Sequence, residues 1–224
     1  MSRRAPSRSP RPAASAAARA VRPRWRRRKE ARPAEILTAA LETFVERGYA
    51  ATTLADVARR AGVSKGTLYL YYRNKESLFQ AVAAGAGLAT LERGEALLRS
   101  HRGSSEELLQ RLLLDWWDGV GGTPAAGLTK LMVTESGSFP RAAKYLYREV
   151  VKRRRRLIER ALRRGIRRGE FRSVPLPEAV RLAAAPILLS FIWAHSVAGK
   201  DRYVRDTDAL VRLHVRLFTE ALRR

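Results

Sequence analysis

The chain contains no cysteine and has three histidines, His101, His195 and His214. Without cysteine there is no disulfide framework, no thiolate zinc site and no thiol redox switch. None of the histidines lies in a metal-binding or triad-like sequence pattern. The glycines of residues 119–122 fall between helices and not after a strand, so they do not form a phosphate-binding loop. The sequence therefore predicts no catalytic residue, no metal site and no cofactor.

Long apolar runs and alternating strand patterns are also missing. The longest apolar run, residues 182–194, is too short to cross a bilayer and contains Pro186. It predicts a buried core helix and no membrane partner. Elsewhere the apolar residues recur at helical spacing, which predicts an all-α fold. A chain of 224 residues that is 46% hydrophobic has room for one small and one larger domain. A cytoplasmic location is compatible with these features.

Acidic residues are scarce: 21 Asp or Glu stand against 45 Lys or Arg, a formal net charge of +24. Residues 1–32 hold twelve of the basic residues and one Glu, with four prolines and runs of Ser and Ala. This composition predicts a disordered segment and lacks the apolar centre of a secretory signal. It suits a basic arm that adds salt-sensitive affinity for DNA. A solvated tail, or a start codon assigned too far upstream, would also account for it.

A second basic zone runs from Arg148 to Arg168, where arginines share a long predicted helix with apolar residues at helical spacing. The apolar stripe is expected to be buried, with the arginines on the remaining faces. We favour a solvated helix face here over a second site for nucleic acid or an acidic partner.

Residues 52–75 have the pattern of two short helices around a tight turn. Thr53 followed by Asp56 is a capping box, which begins the first helix. Gly62 permits the left-handed backbone that ends it, and Ser64 caps the next helix through its hydroxyl. The pattern predicts a helix-turn-helix.

The second helix of this motif carries residues suited to a polyanion. Lys65, Gly66 and Thr67 are cationic or small, so the backbone can approach another surface closely. Leu68 is expected to face the core, while tyrosine hydroxyls at 69, 71 and 72 can donate to phosphate oxygens. Lys75 is predicted to favour a phosphate at the start of a third helix.

Over residues 33–80 the chain resembles the DNA-binding domain of the TetR family of bacterial transcriptional regulators. The resemblance is carried by the string from Ala61 to Tyr69, the preceding helix that ends at Gly48, and the segment from Asn74 to Phe79. It implies that this second helix lies in the major groove of an operator. The expected DNA-binding residues are Thr53, Ser64, Lys65, Gly66, Thr67, Tyr69, Leu70, Tyr71 and Lys75. Leu70 departs from the larger polar or aromatic residue that many members carry, so base contact there should be apolar.

Six further helices are predicted at about residues 75–99, 105–119, 124–136, 140–169, 177–198 and 206–223. Residues 81–224 resemble, in outline, the ligand-binding and dimerising domain of the same family. That resemblance implies a homodimer through the last two helices, with Ala183, Ala184, Ile187, Leu188, Phe191, Leu210, Leu213 and Leu217 as candidates. Aromatic and polar residues could line a pocket for an apolar or aromatic effector: Trp116, Trp117, Met132, Glu135, Phe139, Tyr147, Trp193 and His195.

The sequence thus predicts three segments: a basic arm (1–32), a helix-turn-helix domain (33–80) and an effector-binding domain (81–224). We interpret the protein as a dimeric repressor that a small molecule releases from its operator. The alternative is an architectural protein that binds DNA without sequence preference.

Overall fold

The computed structural model describes residues 24–196 and 206–224, with the side chains of residues 24–32 and of Ala86 outside the description. Its helices are α1 (Arg24–Ala51), α2 (Leu54–Arg60), α3 (Lys65–Tyr71), α4 (Lys75–Ser100), α5 (Ser105–Val120), α6 (Ala125–Glu135), α7 (Pro140–Leu146), α8 (Lys152–Arg167), α9 (Leu176–Ala194) and α10 (Thr207–Leu222). A π-helical turn, Tyr147–Val151, joins α7 to α8 without a break. Within these residues the only β pairing is an isolated bridge between Phe171 and Arg223. The all-α prediction is confirmed.

Local side-chain caps explain why several helices begin where the sequence places them. The Ser104 hydroxyl accepts a hydrogen bond from Glu107 N at 3.1 Å at the start of α5. The Asp206 carboxylate accepts one from Ala209 N at 2.9 Å at the start of α10. Each cap satisfies a backbone donor that has no partner within the helix.

The last part of the predicted N-terminal arm belongs to α1. The chain divides into residues 1–32 and residues 33–224. Residues 1–23 lie outside the described residues, so the predicted arm stays a prediction there. The backbone of residues 24–32 belongs to α1, which begins at Arg24. Arg, Lys, Ala and Glu, which dominate this stretch, are good helix formers.

Two apolar clusters form the interior of residues 33–224. The head cluster joins α1–α3 and the first half of α4 to α6 and α7, and includes Ile36, Phe44, Val57, Leu68, Phe79, Leu131 and Phe139. The body cluster joins α5, α8, α9 and α10, and includes Leu109, Leu113, Trp117, Ile158, Ile187, Phe191 and Val215. The second half of α4 packs against the body cluster through Leu97 and Leu98. α4 therefore connects the two.

The helix predicted over residues 177–198 is α9, Leu176–Ala194. Its apolar run, residues 182–194, was expected to be a buried core helix, but only one side of it is buried. Leu182 is 62% exposed, and Leu188 and Leu189 are also exposed. By length and composition alone α9 could span a membrane, but core helices of water-soluble proteins meet the same criterion. α10 also carries exposed leucines, Leu210, Leu213 and Leu217.

Candidate DNA-binding surface and effector cavity

The helix-turn-helix has the caps that the sequence predicts. Asp56 N donates to the Thr53 hydroxyl at 3.2 Å, and Thr53 N donates back to the Asp56 carboxylate at 3.2 Å. The Thr53 hydroxyl also donates to the Asp56 carboxylate at 2.6 Å, and this hydrogen bond, together with the one from Thr53 N, lowers the pKa of Asp56. Thr67 N donates to the Ser64 hydroxyl at 3.0 Å and so fixes the start of α3. Thr53 and Ser64 thus have a structural role that does not depend on DNA.

The turn between α2 and α3 has the geometry that glycine allows. Gly62 has a φ of +64°, in the left-handed region that other residues avoid. Val63 N then donates to Ala58 O at 3.0 Å, which closes the turn. Val57 and Leu68 are fully buried between the helices. Their burial fixes which side of α3 faces outward.

The outward side of α3 is the candidate reading surface, formed by Lys65, Gly66, Tyr69, Leu70 and Tyr71. Each of these residues is exposed, and Leu70 is the most exposed large apolar residue of the described chain at 83%. A Cβ added to Gly66 would meet nothing closer than the Ser64 hydroxyl at 3.8 Å. The surface is therefore open, cationic at its start and apolar at its centre.

Thr67 and Lys75 lie differently from the other predicted contacts. Thr67 is half-buried, with its hydroxyl 2.9 Å from that of Ser64. The Lys75 ammonium donates to the carbonyl oxygens of Tyr49 at 2.8 Å and Ala50 at 3.0 Å, and lies over the Tyr49 ring. Burial lowers the pKa of Lys75. Its charge is thus directed to the end of α1, and contact between this ammonium and a phosphate stays a prediction.

The end of α1 is held by Glu135 of α6. Tyr49 N and Ala50 N donate to the Glu135 carboxylate at 3.0 and 3.2 Å. Gly48 has a φ of +82°, and a Cβ there would lie 2.8 Å from the Glu135 carboxylate oxygen. Glycine is therefore required both by the backbone and by the close approach. A second link is the hydrogen bond from Ala142 N of α7 to the Glu76 carboxylate of α4 at 2.9 Å.

A cavity of about 450 Å³ lies between the head and body clusters. It is lined from six helices and the π-helical turn by Ala83, Gly87, Trp116, Val120, Ala125, Thr129, Met132, Leu146, Val150, Val151, Arg154, Arg155, Ile158, Val180, Arg181, Ala184, Ala185 and Leu188. Its size falls within the usual range for small-molecule sites, and its wall is mostly apolar. π-Helical turns are often found at functional sites, and here the turn contributes Val150 and Val151.

Two of the eight predicted effector residues, Trp116 and Met132, line this cavity. Trp117 does not: it stacks on Phe191 in the body cluster, and its indole N–H donates to the Asp208 carboxylate at 2.8 Å. Trp116 and Trp117 are adjacent, so their side chains point to different sides of α5.

The other five predicted residues also lie away from the cavity wall. Glu135 holds the end of α1, and Phe139 is buried in the head cluster against Tyr49 and Phe79. Tyr147 is 45% exposed, and Trp193 is half-buried outside the wall. His195 lies beside the turn at residues 121–124. Burial and the nearby Lys130 lower the pKa of His195.

Arg154 is a buried charged residue of the cavity that was not predicted from the sequence. It was grouped with the solvated arginines of α8, yet it is 7% exposed and lines the cavity. Its position in the sequence indicates burial, because it lies four residues after Val150 and four before Ile158, on the apolar stripe of the helix.

The surface predicted to form the dimer is only partly available. Ala183, Ile187 and Phe191 are fully buried within the chain's own body cluster, so they cannot contact a second copy. The exposed large apolar residues of the two helices are Leu182, Leu188, Leu189, Leu210, Leu213 and Leu217. His214 Nε2 lies 3.2 Å from Ala183 O, which ties α10 to α9.

Comparison with known proteins identifies the family. Residues 36–82 match the model of bacterial regulatory proteins of the tetR family. Residues 99–211, half of the chain, match the model of the tetracyclin repressor-like C-terminal domain. The chain belongs to the TetR family of bacterial regulators. Members are helix-turn-helix transcriptional regulators with a ligand-binding C-terminal domain, and they are not enzymes.

Individual relatives match over different shares of the chain. The regulator TtgR of Pseudomonas putida is 49% identical over 49 residues, which are 22% of this chain and 23% of that protein. The fatty acid metabolism regulator protein of Bacillus subtilis is 27% identical over 146 residues, 64% of this chain and 74% of that protein. The crystal structure of FadR from Bacillus subtilis, in complex with stearoyl-CoA, superposes with a TM-score of 0.71 at 22% identity, covering 85% of this chain and 99% of that one.

Proposed function

We propose that this protein is a cytoplasmic, dimeric repressor that leaves its operator when a small apolar molecule binds in the cavity. The observation that carries the proposal is the connection between α3 and the cavity. α4 begins directly after the helix-turn-helix, and its residues Ala83 and Gly87 line the cavity two to three turns later. We place the boundary between the DNA-binding and effector domains within α4, after residue 80.

In this proposal the exposed side of α3 enters the major groove. Gly66 allows the backbone to approach the DNA, Lys65 neutralises a phosphate, and the hydroxyls of Tyr69 and Tyr71 donate to phosphate oxygens. Leu70 contacts base edges, where an apolar side chain fits a thymine methyl. Thr53, Ser64 and Thr67 set the position of the helix through their capping bonds.

The effector we propose is a molecule with an acyl chain or another elongated apolar body. The cavity wall supports this choice, because apart from Thr129 and the arginines its described residues are apolar. The relative in Bacillus subtilis is a regulator of fatty acid metabolism, and the FadR structure of similar fold holds stearoyl-CoA. Chain length and head group are left open by this comparison.

The coupling between effector and DNA is proposed to pass through α6 as well as α4. Met132 lines the cavity, and Glu135, one helical turn later, holds the backbone of Tyr49 and Ala50. An effector that displaces Met132 would move this carboxylate and with it the end of α1. The head would then shift relative to its counterpart in the dimer. Effector binding and operator binding then oppose each other, because each favours a different arrangement of the two heads in the dimer.

Selection of bound sequences from a random pool of duplex DNA tests the function. We expect one two-fold symmetric consensus with half-sites about one helical turn, roughly 34 Å, apart. Specific sites should bind at least about 10³-fold more tightly than random DNA. A pool without consensus, with similar affinity for every sequence, would establish the architectural alternative instead.

A further inference from the structure

Arg154 places a positive charge inside the protein, at the wall of the cavity. The residue is 7% exposed. Its Nη2 donates to the Thr90 hydroxyl at 2.6 Å, and its guanidinium lies 4.7 Å from the centroid of the Trp116 ring. Thr90 is itself buried, and its hydroxyl donates onward to Gly87 O at 2.9 Å. The guanidinium is therefore held in place by one hydroxyl and one ring, and neither carries a negative charge.

Among the described side chains of residues 33–196 and 206–224, no carboxylate pairs with Arg154. Burial, and then the like charge of Arg93, lower the pKa of Arg154 to about 9. The side chain thus remains protonated at neutral pH. The preceding residue is a useful contrast, because Arg153 donates from Nε and Nη2 to Glu95 at 3.1 and 2.8 Å. The outward arginine has an acidic partner, and the inward one has none among the described side chains.

The cavity wall offers no acidic partner either. Its described residues include no Asp or Glu, and of its other arginines, Arg181 pairs with Glu178 and Arg155 is exposed. A buried charge without a partner strongly destabilises a fold, unless an anion from elsewhere compensates it. A ligand in the cavity is the group that could reach the free side of this guanidinium.

We propose that the molecule bound in the cavity is an amphipathic monocarboxylate, and that its carboxylate pairs with Arg154 while its apolar body fills the remaining space. This inference rests on the proposed role of the cavity as the effector site, and it specifies the head group. The planar fork of a guanidinium suits a carboxylate, which it can bind through two parallel hydrogen bonds. The Trp116 ring supports one face of that fork.

Binding of a matched set of probes to the full-length protein tests this assignment. The set comprises straight-chain carboxylates of eight to eighteen carbons, aryl carboxylates, the alcohol of the best-binding carboxylate and the corresponding acyl-CoA. Calorimetry without DNA is used for the wild type, Arg154→Met, Arg154→Lys and Arg153→Met. We expect Arg154→Met to weaken carboxylate binding about 30-fold or more and to leave the alcohol within about threefold. The carboxylate affinity of Arg154→Lys should lie between those of the wild type and Arg154→Met. Arg153→Met should bind the carboxylate as the wild type does.

Thermal unfolding without ligand separates this role from a structural one. If Arg154 serves a ligand, Arg154→Met removes an uncompensated buried charge and should raise the midpoint or leave it unchanged. A lowered midpoint, together with equal loss of carboxylate and alcohol binding, would make Arg154 a structural residue and overturn the inference. Binding by none of the carboxylates would overturn it too. So would tight acyl-CoA binding that Arg154→Met does not change, since the anion would then be recognised elsewhere.

Release of operator DNA is measured separately, so that the two proposals fail independently. A carboxylate that binds through Arg154 without releasing DNA would contradict the repressor mechanism and leave the assignment of the head group intact. A neutral molecule that releases DNA, while no carboxylate binds, would support the repressor mechanism and overturn the assignment of the head group.

Discussion

The reading surface and the effector cavity are built in opposite ways. The reading surface comes from consecutive residues, and Thr53 to Lys75 supply its caps, its turn and its exposed side chains. The cavity comes from residues as far apart in sequence as Ala83 and Leu188, which lie on six helices and the π-helical turn. These residues do not form a sequence motif. A site made of adjacent residues is readable as a motif, whereas a site made by packing distant helices is visible only once the helices are placed.

The two regions also differ in their exposure to water. The reading surface is exposed and keeps its polar groups in water until DNA arrives. The cavity withdraws apolar side chains and one guanidinium from water, so a single polar atom there has a larger effect on stability and affinity. Substitutions on the reading surface should therefore alter DNA binding without altering the fold. Substitutions at residues that connect the reading surface to the cavity should alter the response of operator affinity to the effector.

Gly66→Glu should give the largest effect, because it adds bulk and negative charge where the backbone is expected to approach phosphates. Operator affinity should fall by at least about 100-fold, with no loss of helical circular dichroism, since the added Cβ faces open space. Gly85→Glu is the matched control, because Gly85 is also helical and exposed with nothing within 4 Å of a Cβ. Near wild-type binding by Gly66→Glu in a gel-shift titration would remove α3 from the interface.

The double change Leu213→Glu and Leu217→Glu comes next. These exposed leucines lie on α10 beside Leu210, and charges there should prevent a second copy from packing on this surface. Sedimentation should detect monomers, and operator affinity should fall toward the non-specific level because one head reaches only one half-site. Val133→Glu, at an apolar residue of α6 that is 65% exposed, should stay dimeric. A double variant that stays dimeric would show that the interface lies elsewhere.

Glu135→Gln should affect the response more than binding itself. The amide oxygen can still accept from Tyr49 N and Ala50 N, which both donate to the same carboxylate oxygen, but the variant loses the charge that strengthens both bonds. We expect the effector-dependent change in operator affinity to shrink about fivefold, within the usual range of coupling energies. The thermal midpoint should fall by about 2–4 °C for each kcal/mol lost. Glu92→Gln, at an exposed residue of α4, is the control. An unchanged effector response would exclude Glu135 from the coupling.

Leu70→Ala should have the smallest effect and the most selective one. Shortening this side chain removes apolar contact with a base, so affinity for the selected operator should fall about three- to tenfold. Affinity for random DNA should not change, since no charge is lost. Comparing the consensus selected by the wild type and the variant checks this, and preference at one position per half-site should relax. Equal weakening on all sequences would mean that Leu70 reads no base.

Local chemistry allowed the sequence to predict the all-α fold, the helix-turn-helix and most helix bounds. Thr53, Gly62 and Ser64 act on backbone groups within a few residues, so their effect is independent of the rest of the chain. Ser104 in the same way marks the start of α5. The exposed state of Leu70 follows too, because Leu68 is anchored in the head cluster two positions earlier.

Tertiary packing decided what the sequence could not distinguish. Trp116 and Trp117 are equal candidates by composition, and the rotation of α5 between its neighbours places Trp116 at the cavity and directs the Trp117 indole N–H to Asp208. Lys75 carries a charge suited to phosphate, yet the end of α1 lies near enough to engage it. Arg154 resembles the arginines around it until α4 and α5 enclose its side of α8. A side chain's partners depend on which distant helix packs beside it, whereas caps and turns depend on their immediate neighbours alone.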